Sequence, residues 1–133
     1  MYNNSRLSLA FLFVCLMGAS IPAHAESVEE TIQWAGQGDE MAQLKLGQMY
    51  NKGVGVTKNK AESVKWIKKS AEQGNSDAQA LLGIRYLNGD GVAEDKTEAI
   101  KWFQKAADQG NETALQTLTV LGVKNSTPEK KSN

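Results

Sequence analysis

The 133-residue chain holds one cysteine, Cys15, and one histidine, His24, and both fall in a stretch built like a leader. Arg6 precedes an apolar run from Leu7 to Ile21, Pro22 breaks it, and Ala23–Ala25 reads Ala-His-Ala, the small-residue form of a secretory cleavage site. The run is shorter than the roughly 20 apolar residues that a membrane-spanning helix needs. Cleavage after Ala25 is therefore expected, with a periplasmic or secreted product and no stable membrane insertion afterwards. Lipid attachment at Cys15 is not expected, because the bulky Val14 precedes it. A mature chain starting at Glu26 would have neither Cys nor His. That excludes an internal disulfide, a Cys/His zinc site, a thiol nucleophile and any histidine base. No cofactor is expected.

Charge of one sign is missing as well. Fifteen basic residues face fifteen acidic ones, and loss of Arg6 leaves a net charge of −1. Nothing in that balance points to a nucleic acid as partner.

What the sequence does have is repetition. Residues 42–77 align with residues 78–113 without a gap at a period of 36, and seventeen positions are identical. Among them are Gly47/Gly83, Tyr50/Tyr86, Gly53/Gly89, Gly55/Gly91, Trp66/Trp102 and Gly74/Gly110, all expected to be structural. A period in this range marks a solenoid, whose units must stack because none can bury its apolar face alone.

The stretch Tyr86–Lys96 is rich in glycine and carboxylates, yet in its twin, Tyr50–Lys60, Val54, Lys58 and Asn59 stand where Asp90, Glu94 and Asp95 stand. The turn repeats and the charge does not. A calcium loop starting at Asp90 would meet Val92 at its third position and Lys101 at its twelfth, neither of which is a suitable ligand. Neither copy has the further glycine or the Gly-Lys-Ser/Thr ending of a phosphate loop.

Within each unit the apolar spacing is helical: Ala42, Leu46, Met49 and Tyr50, then Ala61, Val64, Ile67 and Ala71. Asn59-x-x-Glu62 and Asp95-x-x-Glu98 have the form of capping boxes. Gly38, Gly74 and Gly110 stand where a left-handed residue would end a helix, each followed by an N-cap residue, Asp39, Asn75 or Asn111. Six helices are expected, near 27–37, 40–50, 60–73, 76–87, 96–109 and 112–122. Residues 26–123 form the repeat domain, with partial helices at each end, and the polar, proline-broken 124–133 is expected to be a disordered tail.

The pattern A-x-x-x-L-G-x-x-Y-x-x-G-x-G-V, followed by K-W-[IF]-x-K-[SA]-A-[ED]-Q-G, resembles the Sel-one-like repeat, a relative of the tetratricopeptide repeat. The resemblance covers residues 42–113 fully and the flanking helices in part. It implies an all-α fold, a short right-handed α-solenoid of about two and a half helix-loop-helix units, which binds a protein or peptide. A cysteine-rich subgroup credited with β-lactam chemistry is not matched: the expected mature chain has no Cys and no Ser-x-x-Lys.

The shared Trp66/Trp102 and Tyr50/Tyr86 are expected to fill the space between helices. Mid-helix Gly47 and Gly83 each cost around 1 kcal/mol against alanine, which close approach of a neighbouring helix would offset. Binding is expected where the copies differ on the first helices: Lys45/Leu81, Gln48/Ile84, Met49/Arg85 and Lys52/Asn88. Lysines gather in the first unit (52, 58, 60, 65, 68, 69) and carboxylates in the second (90, 94, 95, 98, 108), a pattern suited to a solvated surface, a head-to-tail contact or a one-sidedly charged partner.

The function expected is an adaptor or scaffold for a protein of the cell envelope, with no catalysis. Alternatives are an immunity protein for a neighbouring toxin and a cell-wall hydrolase using carboxylates such as Glu62, Glu72, Glu98 and Asp108. Self-association could supply burial that so few units lack.

Overall fold

A computed structural model describes residues 27–124. The expected leader, with Cys15 and His24, and all of the tail but Lys124 lie outside the described residues. Among the described residues six helices follow one another: α1 (Val28–Gly36), α2 (Glu40–Lys52), α3 (Lys60–Glu72), α4 (Ser76–Asn88), α5 (Lys96–Asp108) and α6 (Glu112–Val120). There is no strand among the described residues, and the fold is an all-α solenoid. Each helix packs chiefly on its neighbour in the chain, most extensively within the pairs α2/α3 and α4/α5. These pairs are the two repeat units. Among the described residues α1 is a second helix without its first, and α6 a first helix without its second.

Local chemistry sets the boundaries. Asp39, Asn75 and Asn111 accept from the backbone N–H groups of Ala42, Ala78 and Ala114 and so start the first helices. Gly38, Gly74 and Gly110 take φ of 98°, 105° and 83° and end the second helices. The expected capping boxes are only half formed. Asn59 and Asp95 accept from the N–H of Glu62 and Glu98, but those carboxylates turn to Lys65 and Lys101 at 3.1 Å, one helical turn away. The complete box, Ser27 with Glu30, starts α1.

α2 and α4 run on to Lys52 and Asn88, and Gly53 and Gly89, the first glycines of the repeated turn, are their C-caps. Both are exposed. Their backbone N–H groups donate to the carbonyls of Met49 and Arg85 from a left-handed conformation. The close approach in this loop belongs to the next glycine of each copy, where a Cβ on Gly55 would overlap Val28 and one on Gly91 would overlap the Lys60 carbonyl.

Two apolar clusters, sharing Tyr86 at their margin, run through the stack: one around Ile67, Leu82 and Trp102, the other around Phe103, Ala114 and Leu118. Gly47 and Gly83 allow the paired helices to touch. A Cβ on Gly47 would come 2.6 Å from Ile67 Cγ1, and one on Gly83 would come 2.9 Å from the Phe103 ring. The Ser63 hydroxyl donates to the Gly47 carbonyl at 2.6 Å across the first contact. Trp102 is buried and Trp66 half-buried, and Lys105 and Lys69 lie over their rings.

A glutamine ladder, repeated at the same spacing, joins the helices. Gln73 Nε2 donates to the Gly38 carbonyl and to Gln43 Oε1, both at 2.8 Å, and Gln109 does the same to Gly74 and Gln79. Gln43 and Gln79 in turn donate to the carbonyls of Ala35 and Ala71. Buried amides are thereby satisfied on both their oxygen and nitrogen sides.

Candidate functional site

The first helices α2, α4 and α6 stand side by side, and their shared face carries a groove of about 210 Å³. Its walls are Leu44 and Gln48 from α2, Asp77, Ala80, Leu81 and Ile84 from α4, and Asn111 and Thr113 at the start of α6. The groove is apolar along its floor and polar at its rim, the composition of a surface that seats a side chain and fixes its orientation by hydrogen bonds.

Three of the eight residues expected from the differences between copies meet in this groove: Gln48, Leu81 and Ile84. Lys45 lines a second groove, of about 440 Å³, at the amino end of the stack with Thr31, Trp34, Asp39, Met41 and Ala42. Lys52 and Asn88 are exposed at the last positions of α2 and α4, away from both grooves, and Met49 is half-buried outside them.

Arg85 also departs from expectation. It was expected on an exposed binding surface, but it is only 8% exposed. Its guanidinium pairs with Asp90 in the following loop, and Asp90 also takes Lys60 Nζ of the preceding unit at 2.6 Å. Burial pushes the guanidinium pKa below its ordinary value. Arg85 thus belongs to the joint between units, over which the loop at Gly91 closes.

Sequence reasoning missed Leu44, Ala80, Asp77, Asn111 and Thr113 as groove walls. For the first two a signal existed: each lies four residues before an expected groove residue, Gln48 or Ile84, and so on the same helical face.

Comparison with known proteins agrees with this architecture. The family model of the Sel1 repeat matches residues 40–75 and 76–111, more than half of the chain. The chain therefore belongs to the Sel1 repeat family, whose members are in general protein-interaction modules and typically non-enzymatic scaffolds. Among solved structures, a Sel1 repeat protein from Oxalobacter formigenes is 39% identical, with a TM-score of 0.68 over 70% of this chain and 27% of that one. A protective antigen present in uropathogenic Escherichia coli strains, which displays the same fold, is 41% identical, with a TM-score of 0.66 over 71% of this chain and 21% of that one. This chain thus spans about a quarter of these two relatives. Helicobacter pylori cysteine rich protein B shares the fold at 24% identity, with a TM-score of 0.65 over 68% of both chains. A search of curated proteins gave no match.

Proposed function

We propose that this chain is a secreted or periplasmic interaction module, an adaptor or scaffold that holds a peptide or helix of an envelope protein in the groove of its first helices. The observation that carries this reading is the make-up of the groove. Gln48 and Ile84 occupy the same repeat position yet differ in chemistry, while the glycines that let the helices touch and the glutamines of the ladder stay the same. A surface freed from folding constraints and left open is where specificity can reside. No chemistry is assigned to the carboxylates: Glu62, Glu72 and Glu98 are paired with lysines one turn away, and Asp108 is exposed on α5. The leader supports a location outside the cytoplasm.

The test is site-specific photo-crosslinking in the envelope of the source cells, with the crosslinker at Gln48 or Ile84 and, as control, at Lys68. One partner captured from both groove positions and not from Lys68, and lost on Leu81→Glu, is the expected result. Equal labelling from all three positions would remove the groove as the binding site. Fractionation checks the location: a chain retained in the cytoplasm with its leader intact would refute secretion.

A further inference from the structure

The described solenoid begins with a second helix and ends with a first helix, so among the described residues each end is without the half-unit that the other end carries. We infer that the chain associates head to tail, with α6 of one copy seated on α1 of the next as the missing first helix of a composite unit. The surface used is the continuation of a contact already made twice within the chain, between α2 and α3 and between α4 and α5.

Three matches at the two ends support this pairing. The ladder that runs from Gln73 to the Gly38 carbonyl and from Gln109 to the Gly74 carbonyl has a next donor, Gln37, at the amino end and a next acceptor, the Gly110 carbonyl, at the carboxyl end. Neither has a ladder partner among the described residues. Between neighbouring first helices, Asn75 Nδ2 meets Met41 and Asn111 Nδ2 meets Asp77 Oδ1. The next such pair is Asp39 with Thr113 of the other copy, an acceptor opposite a hydroxyl donor.

Finally, of the five exposed large hydrophobics among the described residues, three lie on the surfaces this contact would cover: Trp34 (54% exposed), Met41 (60%) and Val120 (86%). Trp34 stands at the position of Ser70 and Ala106, both of which are buried in the complete units, and Ser70 donates to the Glu40 carbonyl of its own first helix. By the same register Val120 of one copy comes against α2 of the next, where Met41 and Lys45 line the amino-end groove.

A contact between unlike surfaces does not close on itself unless a rotation brings it round, so the product is an open chain of copies and not a symmetric dimer. The test is sedimentation velocity on the chain starting at Glu26, over a range of concentrations, with helicity checked by circular dichroism. The expected result is a sedimentation coefficient that keeps rising with concentration. Trp34→Glu blocks the amino end and Thr119→Arg the carboxyl end. Each variant alone should remain a monomer of unchanged helicity, and an equimolar mixture should form a one-to-one dimer through the single intact end that each retains. A chain from Glu26 that stays monomeric would overturn the inference and leave the amino-end groove to the leader or to a different protein. A dimer that survives either variant, or a mixture that stays monomeric when the wild type assembles, would overturn it equally.

Discussion

Replacing Gly91 with alanine tests the joint between units, and Gly110→Ala serves as its internal control. Both glycines have positive φ, 80° and 83°, so both substitutions carry the left-handed penalty of about 1–2 kcal/mol. Part of this is offset by about 0.4–1 kcal/mol, because alanine also restricts the unfolded chain. At Gly110 nothing lies within 4 Å of the new Cβ, so the net cost there should be about 1 kcal/mol. At Gly91 the Cβ meets the carbonyl of Lys60, a backbone group inside the first turn of α3 that cannot rotate away. Forcing such overlap adds about 1–3 kcal/mol, for a total of about 3 kcal/mol.

For a domain of this size each kcal/mol moves Tm by roughly 4–8 °C, so Gly110→Ala should lower it by about 5 °C and Gly91→Ala by at least twice that. Because the second effect falls on the contact between units, urea unfolding of Gly91→Ala should also lose cooperativity and show a smaller m-value. Equal destabilisation by the two variants, within about 0.5 kcal/mol, would refute the placement of the loop against Lys60.

The buried pair in the same joint makes a sharper prediction, because the first unit has Met49 and Val54 where the second has Arg85 and Asp90. Asp90→Val should cost about 2–3 kcal/mol by leaving a buried guanidinium unpaired, while Arg85→Met/Asp90→Val should fall within about 1 kcal/mol of wild type; a urea double-mutant cycle measures both. Ser63→Ala removes the bond to the Gly47 carbonyl and should cost about 1 kcal/mol in the same assay. Asn59→Ala should cost about 1 kcal/mol as a lost cap, whereas Glu62→Gln should change stability by less than 0.5 kcal/mol, because its side chain takes no part in that cap.

Which parts of this molecule were legible in the sequence follows from what repetition records. A residue identical in both copies reports a requirement met in both, and Gly47/Gly83 and Gly74/Gly110 were readable for that reason. Identity does not say which requirement: Gly53/Gly89 repeat to cap a helix at the surface, whereas Gly55/Gly91 repeat because the chain passes close by. The ladder glutamines carried the same signal, Gln43 with Gln79 and Gln73 with Gln109, but amides are common on surfaces and only the fold shows that these cross between helices. Differences between copies are harder to read. Gln48 and Ile84 differ and face an open groove, whereas Arg85 differs from Met49 because Asp90 differs from Val54 five residues further on, and the two changes cancel inside a buried pair. That spacing joins a helix to a loop and belongs to no helical face, so periodicity could not reveal it. In a solenoid, a position that varies between units is therefore a weaker binding candidate when a second variable position answers its charge, as Asp90 answers Arg85. Gln48 and Ile84, which line an open groove and have no such answering charge, remain binding candidates and Arg85 does not.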